Sequence, residues 1–240
     1  MKSIAIIGAV ALVASSASAQ TSHASWRGYS VTRTITAGGN TRYQVFANFA
    51  ASNITYLNAF DHGKANASQP AQYGTLNTYH RDFFTADGEV GTWMAGSAVS
   101  AADRPEDSWV TSTGLATASG WGTALDPSFQ GGTFLEIPLH AGWYDADPTT
   151  PNSVLAGSQG GHDGQIAVGG YQILLMQIVR QGNDSTNGLG KARFNLTSGF
   201  KIANTTTALF GFGSYVIGVP APGAVALLAL AGLAARRRRG

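Results

Sequence analysis

Apolar and polar residues alternate in short runs through the body of this chain, and no sustained helical period competes with that pattern. Tyr29, Val31, Arg33 and Ile35 share one face of a strand, and Ala37-Gly38-Gly39-Asn40 supplies a turn. The chain returns through Arg42 to Phe49 with Tyr43, Val45 and Phe49 on one side, which predicts a hairpin. A third strand is expected over Ile54 to Phe60, followed by a polar loop from Asp61 to Tyr79.

Further along, Thr92-Trp93-Met94, Ser108 to Thr111 and Thr133 to Leu139 read as short strands, with Pro138 marking an edge or a strand end. Asp145 to Asp163, with Pro148, Pro151 and Gly160-Gly161, reads as a long irregular connection. Strand character resumes over Gln165 to Val168, Tyr171 to Arg180, Ala192 to Leu196, Phe200 to Ile202 and Leu209 to Val219. The run Ile173 to Val179 is apolar enough for a helix, but its β-branched residues and flanking glycines favour a buried central strand. Many short strands without alternating helices predict an all-β fold, an antiparallel β-sandwich of which the jelly roll is one form.

The two ends depart from this pattern. Lys2, the apolar run Ile4 to Val13 and the Ala17-Ser18-Ala19 site before Gln20 form a secretory signal peptide over residues 1–19. At the other end, Ala224 to Ala235 is twelve apolar residues, about 18 Å as a helix against a hydrocarbon core of roughly 30 Å. It lies between Val219-Pro220-Ala221-Pro222 and a terminal run of arginines, Arg236, Arg237, Arg238 and Arg239, which cannot cross the bilayer. Such a segment suits a temporary membrane tether. A signal helix and a short hydrophobic helix are thus expected to flank a sandwich domain over residues 20–219, with residues 220–240 as a sorting or anchor segment.

Together these tail residues resemble the PEP-CTERM sorting signal of bacteria, a proline motif followed by a short hydrophobic helix and a basic end. Ala221 stands where that family's usual glutamate would be. The resemblance covers Val219 to Gly240 and implies a membrane-embedded exosortase that cuts at the proline motif and delivers the cargo to the cell surface or an exopolysaccharide matrix. A plain C-terminal membrane anchor is the competing reading. The implied partners are the export machinery, signal peptidase, an exosortase-like enzyme and extracellular polysaccharide.

Charge bookkeeping follows from this division. Lys2 and the four terminal arginines are five of fifteen cations, and all thirteen acids lie in the body, so residues 20–219 carry ten positive charges against thirteen negative, or −3. A nucleic-acid partner loses its electrostatic footing. With no cysteine, the exported domain must be held by its apolar core, with structural calcium as a further aid. Asp145, Asp147 and Asn152 supply hard oxygen ligands for such an ion in one loop, without the spacing of an EF-hand.

Tryptophan rings stack on sugars when exposed and belong to the core otherwise. Of the five, Trp121 and Trp143 sit beside glycines in expected loops and are the candidate glycan platforms, with Trp26 next. Glu136, on an expected strand, is the best-placed of three glutamates for hydrolase chemistry, although a glycosidase needs two converging carboxylates. No G-x-S-x-G nucleophile elbow and no H-E-x-x-H zinc motif occurs, and adjacent pairs such as His80-Arg81-Asp82 are not how triads are built. The expected function is therefore non-enzymatic, structural or adhesive at the cell surface, with a carbohydrate-binding module and a secreted glycoside hydrolase as alternatives.

Overall fold

The computed structural model describes residues 22–51, 53–64, 71–81, 93–94, 104–112, 123–129, 136–146, 171–184 and 189–218. Among them run nine strands: β1 (Trp26–Ile35), β2 (Thr41–Phe49), β3 (Ile54–Phe60), β4 (Trp109–Val110), β5 (Thr123–Leu125), β6 (Trp143–Asp145), β7 (Tyr171–Arg180), β8 (Ala192–Ile202) and β9 (Leu209–Ile217). They form two antiparallel sheets, one of four strands in the order β1-β2-β7-β4 and one of five in the order β5-β6-β3-β8-β9. The signal peptide, the proline motif, the hydrophobic tail and the expected strand at Gln165 to Val168 lie outside the described residues. Among those described, no helix is long and apolar enough to cross a membrane.

Alternation explains the two layers. In β2, Val45, Ala47 and Phe49 turn inward, and β7 meets them with Ile173, Leu175 and Ile178. The opposing sheet contributes Ile54 and Tyr56 from β3, Leu196 and Phe200 from β8, and Tyr215 from β9, so one continuous apolar core lies between the sheets. Strand β7 is the central strand that its apolar run predicts, because Gln172 to Arg180 are all buried. Its second face meets a small outer cluster of Phe46, Leu174 and Trp109.

The sheet edges are treated differently. Next to β9, the incoming chain covers the free edge: His23 N–H donates to Phe210 O at 3.0 Å, Phe212 N–H donates to Ser22 Oγ at 2.9 Å, and the Trp26 indole donates to Phe212 O at 3.1 Å. Trp26 then lies over two inward glycines of β9, where a Cβ at Gly211 would collide with the indole. Around this ring gather Tyr29, Phe49 and Phe200, at centroid distances of 4.8, 5.5 and 6.3 Å.

Two expectations are corrected here. Ala192 to Leu196 and Phe200 to Ile202, expected as separate strands, are one strand, because the polar interior position Ser198 accommodates tyrosine hydroxyls rather than breaking the ladder. Glu136 to Leu139 is not a strand; Pro138 supplies no N–H, and the Glu136 side chain is committed to another segment's backbone.

Candidate functional site

Glu136 acts as a backbone clamp. Its two carboxylate oxygens accept from the N–H groups of Leu76 and Asn77 at 2.7 and 2.6 Å. Partial burial raises its pKa, while those N–H groups and the Arg180 charge pull the other way. Arg180, fully buried on β7, completes the clamp by donating to Thr75 O and Leu76 O at 2.8 and 2.6 Å. Its remaining nitrogen bonds Asp184 and Gly190 O, both at 2.9 Å, and Tyr43 O–H donates to the same Asp184 oxygen at 2.6 Å. Burial, then the Asp184 carboxylate, pushes the Tyr43 hydroxyl up to about 12. This is a pinned crossing of chain segments; the carboxylate that the sequence offered for hydrolysis is used in holding it.

Several polar groups elsewhere in the core are paired in the same structural manner. Tyr29 and Tyr56 hydroxyls meet Ser198 Oγ at 2.9 and 3.0 Å, and burial drives both phenols well above their ordinary range. His62 is buried against the Phe194 ring at 5.1 Å, with Nε2 2.8 Å from Tyr215 O–H. Loss of solvent lowers its pKa to about 3, outweighing the nearby Pro138 carbonyl, so the ring is neutral. His80 and Asp107 are also buried, with Nδ1 and Oδ1 3.4 Å apart beside the Trp93 ring, and Asp107 additionally accepts from Arg81 N–H.

Of the residues proposed for ligands from sequence, those described are buried. Trp143, expected as an exposed platform, is buried on β6 and its indole donates to Thr111 O at 3.0 Å. The glycine beside it marks close packing rather than a loop, since a Cβ at Gly142 would lie 2.7 Å from Ala59 O. Trp26 is likewise buried. Trp121, Asp147 and Asn152 lie outside the described residues, and Asp145 is buried at the end of β6. Among the described residues, no group of three or more His, Cys, Asp or Glu is gathered closely enough to hold a metal ion.

Exposed rings appear instead on the outer face of the five-stranded sheet. Tyr144 of β6 is 45 % exposed and Phe210 of β9 is 43 % exposed. The register places Tyr144 opposite Asn58, Asn58 opposite Gly199 and Gly199 opposite Phe210, one row across four strands. Phe60, half-buried, meets the Phe210 ring edge-on at 6.0 Å. Sequence reasoning that favoured tryptophan passed over this row. Its signal was the alternation Phe210-Gly211-Phe212-Gly213, which gives the core side to glycine and turns the rings outward. No protein-family model, curated protein or solved structure matches the chain.

Proposed function

We propose that this chain is an exported, non-enzymatic protein of the cell surface or extracellular polysaccharide matrix, processed at Val219 to Pro222 by an exosortase-like peptidase. The observation that carries the reading is where the sandwich stops. Strand β9 ends at Ile217, whose side chain is buried in the core, two residues before the proline motif. A cut at that motif therefore removes no strand and exposes no core residue of the described domain. The signal peptide and the arginine-ended tail then act as address labels around a self-sufficient β cargo.

The structural character of the cargo supports a non-catalytic role. The side chains of His62, Glu136, Asp107 and Arg180 are bound into packing contacts and backbone clamps. The test is to replace Pro220 and Pro222 with alanine, and separately Arg236 to Arg239 with glutamine, in a host that has an exosortase. Each variant should accumulate as a longer, membrane-associated form, while the parent chain is released shortened. Equal processing of all three would contradict the sorting reading.

A further inference from the structure

We infer that the outer face of the five-stranded sheet, along the row Tyr144-Asn58-Gly199-Phe210, binds an extended anionic polysaccharide. This deepens the matrix reading above and rests on it. Strands stand about 4.8 Å apart, so the row from β6 to β9 spans about 14 Å, a length suited to an oligosaccharide stretch rather than to one sugar. Exposed rings mark both ends of the row, and Phe60 braces the Phe210 ring from the side. Apolar ring faces with a few polar groups between them are what sugar rings, apolar on their faces and hydroxylated at their rims, require.

Between the rings, the floor is kept low by Gly199, where a Cβ would collide with Asn58 Oδ1. That oxygen is shielded and, among the described residues, has no hydrogen-bond donor. An orphaned amide acceptor of this kind is costly and calls for a donor. A sugar hydroxyl supplies one after rotation about the soft amide torsion of Asn58.

Charge selects the class of polysaccharide. The outward side of β8 carries Arg193 and Lys201, and β8 and β9 contain no acidic residue, although residues 20–219 as a whole are net negative. Lys201 lies two positions beyond Gly199 on the same side of β8, and Arg193 lies toward the other end, with its guanidinium over the Tyr73 ring at 5.7 Å. Asp61, just beyond Phe60, is paired with Lys64 at 3.2 Å. A neutral chain would use the rings alone; a carboxylated chain also uses these cations.

The experiment measures binding of the mature, surface-extracted protein to a soluble polyuronate and to dextran of matched length, by calorimetry. The polyuronate is expected to bind and dextran to bind at least about tenfold more weakly. The Phe210→Ala/Tyr144→Ala double variant should lose about tenfold or more in polyuronate affinity. Lys201→Gln should lose about threefold, with a smaller salt dependence. Tyr171→Ala, an exposed ring on the other sheet, should bind as the parent does, and circular dichroism should show all variants folded. No polyuronate binding, equal binding of dextran, or undiminished binding by the folded double variant would each overturn the inference. Intact mass reports processing separately, so a correctly processed protein that binds no polyuronate sinks this inference and leaves the sorting reading standing.

Discussion

Arg180 and Glu136 hold one stretch of backbone by opposite polarity: the guanidinium takes the carbonyls of Thr75 and Leu76, and the carboxylate takes the N–H groups of Leu76 and Asn77. The loop after β3 is thereby fixed to β7. Arg180→Leu removes the cation and leaves Asp184 buried without its counter-ion, which should cost about 3–5 kcal/mol in urea unfolding. Glu136→Gln keeps one acceptor oxygen and should cost about 1 kcal/mol. A loss under 1 kcal/mol for Arg180→Leu would mean that the clamp is dispensable.

Acid should destabilise the domain through His62. Its folded pKa is about 3 against an ordinary 6.5, so the unfolded chain binds the extra proton throughout that interval. Stability is fully present above pH 6.5 and falls as pH drops toward 3, by up to about 1.4 kcal/mol per pH unit. Glu136 acts in the opposite sense, because its raised pKa gives stability at low pH that is lost as pH rises through that pKa. Unfolding free energies at pH 7, 5.5 and 4.5 should therefore decline in the parent and decline less in His62→Gln. Equal slopes in the two proteins would rule out His62 as the source.

Gly211 is a packing requirement of the Trp26 ring. Gly211→Ala should cost about 1–3 kcal/mol through overpacking. Adding Trp26→Leu should recover part of that loss, so that the two changes are less than additive. Strict additivity would show that the ring and the glycine are not coupled.

The chain's own entry segment protects an edge strand. Deleting residues 22–25 frees Phe210 O and Phe212 N on β9, and an open edge recruits other strands. Light scattering should show concentration-dependent association of the truncated protein, with the full mature domain unchanged. A monodisperse truncated protein would contradict the capping role.

Much of this architecture was legible in the alternation. Strands β1, β2, β3 and β9 follow period-two patterns, and the apolar run of β7 gave away its central place. The short strands were harder to read. β4 lies within the expected run Ser108 to Thr111, but the three residues each of β5 and β6 carry too little pattern, and the pairing of these short strands is set by partners far along the chain. In sequence, Gly142 before Trp143 reads as a loop signal, whereas that glycine allows β6 to approach Ala59. The exposed row was obscured because a ring's side of a sheet is fixed by its neighbours' register. The clamp of Glu136 involves backbone groups sixty residues away, which no local spacing reveals.

The most direct measurement is intact mass spectrometry of the protein extracted from the cell surface of a host with an exosortase. The expected mass corresponds to a chain beginning at Gln20 and ending within or near Val219 to Pro222. A surface-extracted chain that still carries Arg236 to Arg239, or that begins at Met1, would contradict the reading of an exported β cargo released from a temporary tether.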